Sequence, residues 1–340
     1  MSLTNTPINL VEGHKRRYGR FTSRPSNVNP LDEFGGLARA FRNYRLKEWV
    51  GFTMIHHDWY SSFIIQDAHY LGSSEIYAYD RQSKSLYQHA ANSGPGLGLP
   101  ADLYGGHCEF VKPGYKIAYD FARAQTQHIL RFDIAATEKA PAFQGELTLD
   151  AAHASPTLSV SAPLPARKAR MYTNKVIFPV SGAIHIGDRA MVFDPARDMA
   201  ILDEHHSLLP YNTYWVWGTF AQRTPAGIIG ANFARRPTTP GSEEESAIWT
   251  PTACEPLADI TFTPQSSDPM APIHVTSKDG RLDAIFEPEG RKGVDQNLVI
   301  FEIHYFQLYG RYRGTVRSLD GTTYQFADVP GVCETMRARL

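Results

Sequence analysis

Asp203, Glu204, His205 and His206 stand in a row, followed beyond Pro210 by Tyr211, Trp215 and Trp217. No other segment places carboxylates, histidines and paired tryptophans so close together. A carboxylic acid in an apolar, aromatic-lined setting has its pKa raised and stays protonated near neutral pH. In such a setting Asp203 would serve as a general acid toward an alkene, an enol or a carbonyl. His206 or Tyr211 would pass on or receive the proton. The competing reading is structural: Asp203 caps a turn through backbone N–H groups.

The elements that must position these groups are strands. Met199 to Leu202 reads as a buried strand with the acid–histidine run at its end, and a second strand runs from Tyr211 to Gly218. Side chains alternate along a strand, so Tyr211, Thr213, Trp215 and Trp217 share one face. Two indoles and a phenol on one face either floor a pocket for a bulky apolar ligand or form ordinary β-core.

Other chemistries find less support. His56-His57 and His205-His206 are adjacent pairs whose members point to opposite faces of a strand, and no H-x-H or HExxH spacing occurs, so no metal site is expected. There is no G-x-S-x-G elbow and no dinucleotide fingerprint. The glycines at 94, 96 and 98 are not followed by a convincing helix and read as a plain loop. Glu243-Glu244-Glu245 reads as a solvated loop; Arg235-Arg236 could hold an anionic head group but reads better as a surface loop, and Arg311 with Arg313, sharing a face if extended, could hold an anion in the same way.

The 340 residues suit two domains or one large β architecture, and 42% hydrophobic content marks an ordinary globular chain. A net charge of −1 without a basic block argues against nucleic-acid binding. The three cysteines, Cys108, Cys254 and Cys333, are unpaired by spacing and fit a reducing compartment. No secretory h-region or membrane-length apolar run is evident, so a cytoplasmic protein is expected.

Abundant Tyr, Phe, Gly and Pro favour many short strands joined by turns, with one short helix over Leu37 to Tyr44. Residues 1 to 30 read as an irregular lead-in, and Ser155 to Pro165 as a linker. Trp49-Val-Gly-Phe52 is echoed by Trp217-Gly-Thr-Phe220. Ser62 to Asp67 is echoed by Gly227 to Asn232, and Ile76 to Tyr79 by Ala247 to Trp249. An offset near ~170 residues suggests two related halves.

Several motifs resemble the domain of unknown function 2804 family. They are Pro179-Val-Ser-Gly182, Leu202-Asp203, Pro210 to Gly218, Ile229-Gly-Ala-Asn232, Glu245-Ser-Ala-Ile-Trp249, Asn297-Leu298 and the Gln307/Gly310/Tyr312/Gly314 run. Lys47-Glu-Trp49, Asp67 and Pro95 to Pro100 extend the likeness to the N-terminal half. The family pattern has a His-Gln pair near the end, whereas here Phe306 precedes Gln307, so no role carries over to that histidine. More distantly, Ser181-Gly182, Leu202-Asp203-Glu204 and Trp215-Val-Trp217 resemble the carotenoid 1,2-hydratase and lipocalin-like group. That resemblance implies two lipocalin-like barrels and hydration or cyclisation of apolar substrates without metal or nucleotide.

The expectation is therefore an all-β protein: two lipocalin-like barrels or sandwiches packed together, spanning residues 1–165 and 166–340. The first functional reading is a cofactor-free hydratase, isomerase or cyclase acting on an apolar small molecule. Asp203 is the acid, His206 and Tyr211 assist, and Trp215, Trp217, Trp49 and Asn232 bind substrate. A carrier of apolar molecules and an interaction scaffold are the alternatives.

Overall fold

Strands make up nearly every element, and Gly36–Arg45 is the one α-helix among the described residues. The computed structural model describes residues 3–122, 126–298 and 301–339. Contacts divide the chain into two compact units. One holds Leu3–Ser161 with Met171–Leu208, and the other holds Ala162–Arg170 with Leu209–Leu340.

The first unit is built on a curled antiparallel sheet. Its path runs through Ser85–Ser93, Gly72–Asp80, Trp59–Asp67, Leu46–Ile55, Met199–Leu208, Arg170–Ile186, Phe143–Asp150, Gln127–Ile134, Tyr115–Asp120 and His107–Lys112. Strands distant on that path meet inside: Phe63 contacts Phe132 at 4.7 Å and Phe52 contacts Tyr119 at 5.3 Å between ring centroids. The interior is a packed aromatic and aliphatic core. This arrangement places residues 171–208 with the N-terminal half and not beyond a boundary at 165. The reason is the long-range pairing of Met199–Leu208 with Leu46–Ile55, which runs from Met199↔Ile55 to Leu208↔Leu46.

The second unit repeats the scheme. Its path is Cys254–Pro256, Ala247–Trp249, Gly227–Arg235, Asn212–Thr224, Thr323–Arg339, Phe301–Arg317, Leu282–Leu298, Ile273–Ser277 and Ile260–Pro264. Phe220, Phe233, Phe262, Phe286, Tyr312 and Phe326 fill its interior. Gly218 allows that filling, because a Cβ there would lie 2.5 Å from the Phe233 ring.

The sequence echo has a structural counterpart. In the first unit Phe52 pairs across to Phe63, and Phe63 to Ile76. In the second, Phe220 pairs to Ala231, and Ala231 to Ile248. The echoed segments thus occupy successive strands of two similar meanders, with a buried residue at each of these positions.

Two expectations need correction. The supposed linker contains the buried strand Leu158–Pro163, which pairs with Gly19–Phe21. Its serines are buried because they are satisfied: Ser159 bonds the Tyr172 hydroxyl at 3.1 Å, and Ser161 accepts from Arg16 Nε at 3.1 Å. The supposed irregular lead-in is also part of the core, since Leu10, Phe21 and Val28 cluster with Tyr172.

Candidate functional site

Three neighbouring strands, Leu46–Ile55, Met199–Leu208 and Arg170–Ile186, carry the polar groups of the first unit. Val50, Phe52, Leu202, Ala200, Val176 and Phe178 face the interior core. By alternation Glu48, Glu204, His206 and Asn174 share that inner face, while Trp49, Asp203, His205 and Lys175 share the outer one. The acid–histidine run therefore builds two clusters back to back. It lies mid-strand and not at a strand end, because the strand continues to Leu208.

On the outer face, Lys175 Nζ donates to Asp203 Oδ1. The Trp49 indole N–H reaches Asp203 Oδ2 at 3.3 Å, and His205 Nε2 lies 3.6 Å from Oδ1. The Trp49 and His205 rings stack at 4.3 Å. Gly51, directly across from Asp203, puts no side chain in the way. The Lys175 side chain is 1% exposed and that of Asp203 is 24% exposed, so the carboxylate is the part of this ion pair that meets solvent. Asp203 does not act as a turn cap: it lies mid-strand, where the Lys175 amine and the Trp49 indole donate to it.

The inner cluster is a closed ionic network. Arg24 from the N-terminal segment grips Glu204, with Nη2 at 2.6 Å and Nε at 2.8 Å, and donates onward to the Pro25 and Ala101 carbonyls. Asn174 Nδ2 donates to Glu204 at 3.1 Å. His206 sits between Glu204 and Glu48, and His69 meets the other Glu48 oxygen at 2.8 Å. Burial alone would raise both carboxyls, but Arg24 and His206 hold Glu204 down at about 2, and His206 and His69 hold Glu48 at about 2. Burial would lower His206, yet the two carboxylates push it up to about 9. His206 is thus a cation at neutral pH, and it faces away from Asp203.

The remaining candidates fall in the second unit. Trp217 Nε1 donates to Asn232 Oδ1 at 2.7 Å, and Asn232 Nδ2 donates to the Glu245 carbonyl at 2.9 Å, all buried. Trp215 Nε1 donates to Glu334 at 2.9 Å, and Glu334 also accepts from the Tyr305 hydroxyl at 2.9 Å and Gln307 at 3.1 Å. Tyr211 precedes its strand and is exposed. The structure therefore brings Asp203 together with Trp49, and Trp217 with Asn232, and it separates His206 from Asp203 across a sheet.

Lys175, Arg24 and Asn174 were not singled out in the sequence, and Glu48 entered only as part of the Lys47-Glu-Trp49 motif. A signal was available: Thr173-Asn174-Lys175 interrupts an otherwise apolar buried strand. The arginine and glutamate candidates also changed character. Arg236 pairs with Glu245 at 2.7 Å, Glu245 is buried, and burial pushes Glu244 up to about 7. Arg311 donates to the Asp328 carbonyl at 2.7 Å, and Arg313 meets Glu287 at 3.1 Å. His56 is occupied by the Val192 carbonyl at 3.0 Å and the Asp58 N–H at 3.0 Å. Of the resemblance motifs, the side chains of Asn297 and Leu298 lie outside the described residues.

Comparison with known proteins adds the family and the fold. The profile described as "Domain of unknown function (DUF2804)" matches residues 18–340. No curated protein sequence matches the chain. The crystal structure of CghA with Sch210972 superposes with a TM-score of 0.56 at 12% identity, covering 87% of this chain and 88% of that one. The crystal structure of kievitone hydratase from Nectria haematococca superposes with a TM-score of 0.53 at 10% identity, covering 95% and 97%. At such identity the likeness is one of fold.

Proposed function

Since the chain belongs to the domain of unknown function 2804 family, whose description carries no activity, its site has to supply the reading, and we propose a hydratase, isomerase or cyclase acting on a hydrophobic small molecule by acid–base chemistry. The observation that carries this is the Lys175–Asp203 pair beside the Trp49–His205 stack. The shared fold with a hydratase supports the choice of reaction class.

Lys175 Nζ donates to Asp203 Oδ1, and the proton reaches substrate through that carboxyl group. Transfer of a proton from Lys175 Nζ to the Asp203 carboxylate gives a neutral amine and a carboxylic acid, and that acid is the group that protonates substrate. In a hydration, Asp203 delivers a proton to one alkene carbon. Water bonds to the other carbon and loses a proton to His205, and the relay resets by return of that proton to the Lys175–Asp203 pair. The Trp49 ring face stabilises positive charge developing on the substrate. No cofactor is needed for these steps. Within the second unit Trp215 bonds Glu334, and Trp217 and Asn232 are occupied by each other, so none of the three is assigned a step. His206 has a structural role, and Tyr211 is assigned no step.

The test begins with mass spectrometry of an organic extract of the purified protein, which names a bound apolar molecule. Turnover of that molecule by wild type and Asp203→Asn is then compared. The expected loss is about 10²–10⁴-fold with binding and thermal unfolding unchanged. Equal turnover by both proteins, or by neither, sinks the reading.

A further inference from the structure

The inner face of the second unit changes character at one end. Phe220, Cys333 and Leu308 lie in its core, and Val216 and Phe306 pack against them. By the period of two the same rows continue to Tyr214 and Asn212, to Arg337 and Arg339, and to His304 and Glu302. These residues stand level across three strands. Tyr214 pairs with Arg337 and Arg337 with His304, while Asn212 pairs with Arg339 and Arg339 with Glu302. A cavity of about 490 Å³ lies at this polar end, lined by Asn212, Thr213, Tyr214, Glu302, Arg337 and Arg339. That volume suits a small molecule.

We propose that this cavity binds the carboxylate of a small organic acid, with Arg337 as its counter-ion. The one carboxylate in the lining is already taken. Glu302 accepts from His304 Nε2 at 2.6 Å with one oxygen and meets Arg339 Nε at 2.7 Å with the other. The His304 bond holds the Glu302 carboxyl below the usual carboxylate range, and the Arg339 and Arg337 charges add to it. His304 in turn meets Asp295 at 2.8 Å, an 81% exposed carboxylate outside the lining. Arg337 pairs with no carboxylate among the described residues, and the side chains of Asn212, Thr213 and Tyr214 make no hydrogen bond among them. An arginine on an outer face would simply be solvated, whereas this one shares a face with the core and lines a cavity. Glu302 and Arg339 cancel, so one positive charge is left over, which selects a monoanion. A planar guanidinium matches a carboxylate through two parallel N–H bonds. Tyr214 and Pro237 give the body of the acid an apolar wall. The inference does not depend on the Asp203 site.

Isothermal titration calorimetry on the full chain tests it, with 2-naphthoate as the probe and the uncharged 2-naphthylmethanol as its control. The wild type is expected to bind 2-naphthoate saturably, at one site, and at least about tenfold more tightly than the alcohol. Arg337→Gln should weaken 2-naphthoate by at least about tenfold and leave the alcohol as it was. Arg337 is exposed, so the fold survives, as circular dichroism and thermal unfolding can verify. Arg313→Gln removes the same charge elsewhere in the unit, where it meets Glu287, and should leave the affinity unchanged. No saturable binding of 2-naphthoate, equal affinity for the alcohol, or equal weakening by Arg313→Gln overturns the proposal. So does binding that Asp203→Asn weakens and Arg337→Gln spares, which would move the anion to the first unit.

Discussion

His206 Nε2 lies 2.8 Å from Oε1 of Glu204, two residues earlier on the same strand, while its Nδ1 bonds Glu48. Two carboxylates and one imidazole thus share a buried site that Arg24 completes. With His206 protonated, Arg24 and His206 supply a cation for each of the two carboxylates, and His69 adds a further contact to Glu48.

The balance makes stability depend on pH at both extremes. His206 is raised from 6.5 to about 9, so its contribution is complete below about 6.5 and is lost as pH rises through about 9. Glu48 and Glu204 are lowered from 4.5 to about 2, so theirs is complete above about 4.5 and is lost as pH falls through about 2. Urea midpoints measured from pH 2 to 10 should form a plateau between roughly pH 5 and 7, with an alkaline loss on the order of 1–3 kcal/mol. A flat alkaline limb would mean that His206 folds neutral.

Removing one partner of the Arg24–Glu204 pair leaves a buried charge without its counterion. Arg24→Met should cost about 3–5 kcal/mol. The double variant Arg24→Met/Glu204→Met should cost less than the sum of the single variants, since neither buried charge remains. Additive losses in urea unfolding would show that the two residues act independently.

Lys175 and Asp203 should behave as one unit in turnover. Lys175→Met and Asp203→Asn are each expected to lower kcat, and the double variant to lower it no further than the worse single one. Multiplying losses in steady-state kinetics would separate their roles and break the proposed relay.

Trp217→Phe should act on stability and not on turnover. It strands the buried Asn232 Oδ1, at a cost of about 1–3 kcal/mol. A raised KM with unchanged unfolding would return Trp217 to the substrate wall.

Much of the fold was legible because strand chemistry is local. Alternation in Arg45 to Phe52, the turn residues and the aromatic content led to an all-β chain and to one short helix, which the structure has at Gly36–Arg45. The halves echoed because equivalent strands bury similar residues, as Phe52 and Phe220 do. The serine-rich stretch around Ser159 was misread because its polarity is matched by partners, Tyr172 and Arg16, that proximity in sequence does not reveal.

For the site, the sequence by itself determined the acid–histidine run and, through the period of two, that His205 and His206 must face opposite ways. That is a property of a single strand. Which partners each face receives was decided only by tertiary structure. Asp203 meets Trp49 and Lys175, and Glu204 meets Arg24, because strands and segments far apart in sequence come into register. Burial and ion pairing then set the charges of His206, Glu48 and Glu204, and both depend on neighbours brought in by the fold.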